Sequence, residues 1–155
     1  MNVTIRQAAT RDLAELLRFE QGIIDAERAF DPTIQEGPVQ YYDIAAMLNS
    51  DRVRFLVAEA DGTLIGCGYA LIESAERFLR HAVHAYLGLM YVDPRYRGQS
   101  VNGRLLAELK TWCRLLQVTE LRLEVYHGNV GAIGAYRKAG FAEHVIEMRL
   151  KLEDE

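Results

Sequence analysis

The sequence predicts one α/β domain, and three observations carry that prediction. Its 155 residues suit a single domain, able to bury about two thirds of the unfolded chain's surface. Stretches with strand period and stretches with helix period alternate along the chain, in the order β-α-α-β-β-β-α-β-α-β. A long apolar run feeds a helix pattern through "DPRYRGQSVNGRLL", Asp93 to Leu106, where arginine, glycine and small polar residues replace the usual hydrophobic connection.

Each element has its own signal. Val3, Ile5 and Gln7 alternate with Thr4 and Arg6, a short strand. Thr10 is a plausible N-cap for a helix whose apolar face is Leu13, Leu16, Leu17, Phe19 and Ile24, running to about Arg28. "AFDPTIQEGP" reads as a loop, and "VQYYDIAAMLNS" as a short second helix. Two β-rich runs flank Asp61-Gly62, the turn dipeptide of a tight hairpin. "AVHAYLGLMYV" is so continuously apolar that both its faces should be covered. Val101, Leu105, Leu109, Trp112 and Leu116 form the stripe of the following helix. "ELRLEVY" is an alternating strand, and "VGAIGAYRKAG" is a compact helix closed by Gly140. "HVIEMRLKL" is a last alternating strand.

Composition excludes several classes. Hydrophobic residues at 50% and charged residues at 26% describe a soluble globular chain. A formal net charge of -4 disfavours nucleic acid, because neutralising phosphates needs a basic surface. Cys67 and Cys113 have no CxxC or metal-site spacing, so they read as reduced thiols, Cys113 as a core residue, and no metal is expected. No basic-then-apolar leader and no membrane-length apolar run is present, which points to a cytoplasmic protein without a membrane partner.

The loop after the long strand has anion chemistry. A helix start leaves N–H groups unpaired and carries partial positive charge. Small residues let an anion approach the backbone, and Arg97 adds a fixed charge. Neither GxxxxGK[ST] nor GxGxxG occurs, so ATP hydrolysis and hydride transfer have no handle.

"YVDPRYRGQSVNGRLL" followed by "LEVYHGNVGAIGAYRKAGF" resembles the GNAT superfamily of acyl-CoA-dependent N-acetyltransferases. The first stretch is similar to that family's acetyl-CoA loop, [RQ]xxGx[GA]. The second is similar to its asparagine and helix tyrosine before a "GF" strand start. The resemblance implies a GNAT-type mixed, mostly antiparallel sheet with helices on both faces and a V splayed between strands 4 and 5. The whole of residues 1–155 would be one such domain.

It also implies a site. The backbone of Met90, Tyr91 and Val92 would pair with the pantetheine arm of acetyl-CoA. Arg97, Gly98, Gln99, Ser100, Val101 and Asn102 would hold the pyrophosphate. Asn129 and Ala132 would meet the CoA arm, and Tyr136 would protonate or hydrogen-bond the leaving sulfur. Ser100 and Asn102 depart from the family, which prefers glycine, and glycine or alanine, at those places. Without the resemblance, Asn129 is simply a helix N-cap and Tyr136 a core tyrosine.

The general base has no single candidate. The fourth strand begins "HAVHAYLG", with His84 and, at the end of the preceding strand, Glu73 as alternatives. Tyr86 is a candidate substrate-binding residue. Asp25, Glu27, Asp31 and Glu36 form an acidic run around the first loop, either a solvated surface or a preference for a cationic acceptor. The expected activity is transfer of acetyl from acetyl-CoA to a primary amine of a small molecule or peptide, by direct attack in a ternary complex. The alternative is a weak or inactive acyl-CoA-binding regulatory module. The resemblance is also compatible with a homodimer.

Overall fold

The computed structural model describes residues 2–153. Five strands form one sheet in the order β1-β2-β3-β4-β5: Val3–Gln7, Val53–Ala60, Thr63–Ser74, Val83–Val92 and Leu121–Arg122. β1 to β4 pair antiparallel, and β5 joins β4 in parallel. Four helices, α1 (Leu13–Glu27), α2 (Ile44–Leu48), α3 (Val101–Leu115) and α4 (Val130–Lys138), complete the elements.

The period-2 alternation of the strands sorts their side chains onto two faces. On one face Val53, Phe55 and Val57 of β2 join Leu16 and Phe19 of α1 and Ile44 of α2. On the other, Leu56, Ala58 and Ala60 join Val101, Leu105, Leu106, Leu109 and Cys113 of α3. Helices therefore cover both faces, and each fully buried leucine or valine contributes about 1.5–3 kcal/mol. Cys113 is core, as expected, and Cys67 is buried as well.

Local chemistry explains the joints. Asp61 and Gly62 both take positive φ, 50° and 80°, as a two-residue hairpin turn requires. Gly140 closes α4 with φ 103°. Asp43 caps α2 by accepting the Ala46 N–H at 3.1 Å. β4 carries a bulge: Cys67 pairs with Tyr91 but Tyr69 with Gly88, so two steps on β3 face three on β4. Leu89, at φ 47°, absorbs the extra residue. Gly88 has no alternative there, since a Cβ would run into the Tyr69 ring.

Four expectations are corrected. Thr10 is not the cap: it opens a short 3₁₀ turn, and Asp12 accepts the Ala9 N–H (2.8 Å) while pairing with Arg6. α3 ends at Leu115, so Leu116 lies beyond the buried stripe and is 51% exposed. "ELRLEVY" forms a ladder only at Leu121–Arg122. "HVIEMRLKL" has the alternation of a strand but pairs with nothing among the described residues. Alternation establishes two faces; a strand also needs a neighbour.

Candidate active site

The β4–β5 pair is the origin of the site. Only Ala85 with Leu121 and Tyr86 with Arg122 are in register, and beyond Tyr86 the strands part. The V expected between strands 4 and 5 is there. Asp93 donates its N–H to Ile65 (2.8 Å), which fixes the phase of the β3–β4 ladder. By that phase, the amides of Met90 and Val92 point away from β3, into the opening. Their side chains pack in the α3-side core. Tyr91 points to the other face, stacked on Phe19 with ring centroids 4.7 Å apart.

At the wide end of the V, Val92, Tyr96, Arg97, Gly98, Ser100, Val101 and Asn102 line a hollow of about 200 Å³. Gly98 (φ 76°) and Ser100 (φ 62°) both take left-handed backbone, folding the loop over the start of α3. Ser100 stands at the N-cap but its hydroxyl caps nothing, so the first-turn N–H groups open toward the hollow. Arg97 donates Nε to the Val92 carbonyl (3.1 Å), which anchors the guanidinium at the end of β4. The Asn102 side-chain oxygen is buried without a partner. A hollow with free N–H groups, a free hydroxyl and a guanidinium fits a pyrophosphate.

α4 stands at the other arm. Asn129 caps it, accepting the Ala132 N–H at 3.3 Å, so both residues sit in the first turn. Tyr136 packs edgewise on Phe141, centroids 5.7 Å apart. Burial pushes its phenol up, so it is a protonated donor near neutral pH.

On the α1–α2 face, at the fork of the V, lies a second cluster. Tyr86 carries the last paired rung, and burial raises its phenol, with the carboxylates of Glu124, Glu73 and Glu27 acting in the same direction. Burial likewise pushes the Tyr42 phenol up to about 12 and raises Tyr41 and Tyr69. Glu27 is half-buried among these rings. Burial lifts its carboxyl above the ordinary range, with the Tyr41 hydroxyl working in the opposite direction. Glu20 holds the arrangement from below: fully buried, it accepts the N–H groups of Tyr41 and Tyr42, each at 3.0 Å.

The acidic run thus separates into individuals. Asp25 pairs with Arg28 at 2.5 Å and Asp31 with Arg149 at 3.2 Å, whereas Glu27 turns toward the tyrosines. Of the two expected bases, Glu73 borders the cluster. His84 is buried deeper along β4, its Nε2 3.7 Å from Glu73. It neighbours His81 and Glu120, and Glu120 is itself held by Arg122 at 3.1 Å. Glu20 and Glu124 carry no signal in the sequence, and Glu27 stands out there only as one member of the acidic run around the first loop.

The fold and the two-ended cleft are those the resemblance to acyl-CoA-dependent transferases led us to expect. A family model for the acetyltransferase (GNAT) family matches residues 16–141, and the chain belongs to that family. A curated protein of Azospirillum brasilense, an IAA acetyltransferase, is 32% identical over 101 residues. That alignment covers 65% of this chain and 61% of the relative, less than two thirds of its length. Among solved structures, a Bacillus halodurans protein crystallised as a tetramutant superposes with a TM-score of 0.85 at 18% identity, over 96% of this chain and 99% of that one. A predicted acetyltransferase of Clostridium acetobutylicum, solved with acetyl-CoA, gives 0.74 at 17% identity over 97% and 96%. An aminoglycoside 6'-N-acetyltransferase of Acinetobacter haemolyticus gives 0.71 at 19% over 99% and 100%. No described helix is long and apolar enough to cross a membrane.

Proposed function

We propose that the protein transfers acetyl from acetyl-CoA to the primary amine of a small cationic molecule or peptide, by direct attack in a ternary complex. The observation that carries this reading is that Glu27, Glu73 and Glu124 all lie near enough to Tyr86, at the fork of the V, to hold its phenol up electrostatically. Carboxylates beside a phenol attract an ammonium ion, and one of them must take its proton before nitrogen can attack.

Glu27 suits that proton transfer best. Its raised pKa brings a carboxyl closer to neutral pH, where a base is most effective, and Tyr41 beside it orients the acceptor oxygen. Glu73 is largely solvated, 41% exposed at its side chain, and so a weaker candidate; His84 is turned toward the closed end of β4. Acetyl-CoA supplies the activated acetyl group and the thiol leaving group. The loop at residues 97–102 binds its phosphates, and the Met90 and Val92 amides align its arm along β4. Tyr136, kept protonated by burial, donates its phenolic proton toward the departing sulfur. The protein thereby supplies position, one base and one acid.

The alternative of a CoA-binding module without turnover draws on Asn102, whose bulk and buried amide occupy a place the family keeps small. A panel of mono-, di- and polyamines with acetyl-CoA, read by free thiol, separates the two. Turnover with a cationic amine supports transfer. Tight acetyl-CoA binding with no thiol release for any amine supports the module.

A further inference from the structure

At the closed end of the V, below the last paired rung, the sheet carries a row of polar side chains. Glu73 is in register with His84 across the β3–β4 ladder. Ala85 pairs with Leu121 and donates its N–H to the Glu120 carbonyl at 2.9 Å, which sets Glu120 beside His84. Ala85 and Leu121 pack in the α3-side core, so His84 and Glu120 face the other way. His81, on the loop between β3 and β4, folds onto this row, its ring centroid 6.0 Å from that of His84. One donor atom from each of His81, His84 and Glu120 lies within 4.8 Å of the other two.

The chain leaves the ring nitrogens of this cluster unsatisfied. His84 is 7% exposed, and its Nδ1 is buried with no hydrogen-bond partner. His81 Nε2 is buried too: it lies 2.8 Å from Glu120 Oε2, yet the two are not aligned as a hydrogen bond. A buried polar atom without a partner is costly, and a ligand that takes its lone pair removes the cost. The surroundings suit such a ligand. Glu73 Oε2 stands 3.7 Å from His84 Nε2, which favours the proton on that nitrogen and leaves the Nδ1 lone pair free. Arg122 donates Nε and Nη2 to Glu120 Oε2 at 3.2 and 3.1 Å, which orients the carboxylate.

We propose that His81, His84 and Glu120 bind a divalent transition metal of the zinc class, with water as the fourth ligand. Two imidazoles and a carboxylate select that class. Calcium and magnesium take oxygen ligands, and thiolate-preferring ions would need the cysteines, which are buried in the two cores. In a tetrahedron with ligand distances of about 2.0–2.1 Å, neighbouring donor atoms are about 3.3 Å apart. The cluster reaches that spacing by side-chain rotation in His81 and Glu120, whose side chains are 26% and 40% exposed. Charge favours a cation, since the carboxylates of Glu73 and Glu120 outweigh the guanidinium of Arg122. Cysteine spacing gives no metal site, and no spacing rule announces this one, because Glu120 meets the histidines only through the β4–β5 pairing. A bound ion ties the β3–β4 loop to the two-rung ladder from which the V opens.

Calorimetric titration of the untagged, chelator-treated chain with zinc chloride tests this without any assay of acetyl transfer. The expected result is a single equivalent of zinc bound with a micromolar or tighter dissociation constant. Zinc should raise the melting temperature and EDTA should reverse the rise. Cobalt(II) in its place should give the visible absorption of a four-coordinate ion. His81→Ala and Glu120→Gln should each weaken zinc binding at least about 100-fold, and Glu73→Gln, which acts through His84, about 10- to 100-fold. His127→Ala with His144→Ala, the two histidines outside the cluster, should leave binding unchanged. Should His81→Ala or Glu120→Gln fail to fold, the imidazole resonances of the wild-type chain decide: zinc must shift those of His81 and His84. Four results overturn the proposal: no binding at submillimolar zinc, binding that survives both ligand substitutions, binding lost with His127 and His144, or zinc shifts confined to those two rings.

Discussion

The two ends of the V are built on different principles. The phosphate end comes from one contiguous stretch, Val92 to Asn102, and works mainly through backbone: two left-handed residues, an uncapped helix start and one arginine. The acceptor end comes from α1, the loop after it, β3, β4 and the stretch after β5, and works through side chains: Glu27, Tyr41, Tyr42, Glu73, Tyr86 and Glu124. A phosphate needs N–H groups at a fixed spacing, and a single turn can supply them. An ammonium acceptor needs charge and shape from several directions, which only tertiary structure can assemble. In the proposed reaction one end would therefore fix the chemistry of the donor, and the other would be free to choose the acceptor.

That division decides what the sequence could reveal. The loop, the Asn129 cap, the Asp61-Gly62 turn and the Gly140 stop are local, each fixed by a few neighbours, and the structure has them as expected. The acceptor cluster was hidden because Glu27 and Glu124 are 97 positions apart in a chain that gives no hint of their meeting. The last strand misled for the complementary reason. Its alternation is genuine, but pairing is a property of two segments, and the described chain provides only one. Glu20 is the plainest case: in a helix it resembles any solvated glutamate, yet it is fully buried on the Tyr41 and Tyr42 amides.

The largest expected effect falls on the acceptor end. Glu27→Gln keeps the shape and removes the base, so kcat should drop by about 10²- to 10⁴-fold at neutral pH. The sign of the pH dependence follows from the raised pKa. The carboxyl ionises only as pH climbs through that elevated value, so the wild-type acid limb should lie above the ordinary carboxylate range. By linkage, a raised carboxyl contributes stability below its unfolded pKa and loses it as pH rises through the folded one. The variant should therefore lose activity and the acid limb without losing melting temperature at pH 7. A variant that keeps the acid limb would transfer the role to Glu73.

Next comes the wall between the two ends. Tyr136→Phe keeps the ring on Phe141 and removes the hydroxyl, so folding should survive. We expect kcat to fall about 10- to 1000-fold with the CoA dissociation constant changed only a few fold, the mark of an interaction made in the transition state. The loss should shrink with an acyl donor whose thiol is more acidic. An unchanged kcat would reduce Tyr136 to a packing residue.

At the phosphate end the effects move from turnover to binding. Arg97→Ala removes a guanidinium anchored on the Val92 carbonyl. CoA binding should weaken by about 1–3 kcal/mol, the range of a charge-assisted hydrogen bond, measured by calorimetry. Because the contact is to a phosphate, the loss should diminish as salt is raised. Normal CoA affinity in the variant would leave the backbone as the only phosphate ligand.

The smallest effect is also the sharpest test of whether that end works by backbone alone. Ser100 occupies a left-handed position, φ 62°, that costs a residue with a Cβ about 1–2 kcal/mol relative to glycine. Its hydroxyl caps nothing within the chain. Two substitutions separate these facts. Ser100→Gly relieves the backbone and removes the hydroxyl; Ser100→Ala removes the hydroxyl and keeps the strain. If the hydroxyl donates to a phosphate oxygen, both should weaken CoA binding by a similar factor of about tenfold or less, since a net hydrogen bond contributes about 0.5–1.5 kcal/mol. The glycine variant should then match the alanine variant in affinity but exceed it in melting temperature, the relief of strain being partly offset by the greater freedom of the unfolded chain. If backbone N–H groups suffice, the alanine variant should bind as the wild type does. The glycine variant, free to settle closer to the anion, should then bind at least as well. Loss of affinity in both makes serine a side-chain ligand in a place where the family prefers glycine, and the contrast between the two ends of the V would then be one of degree.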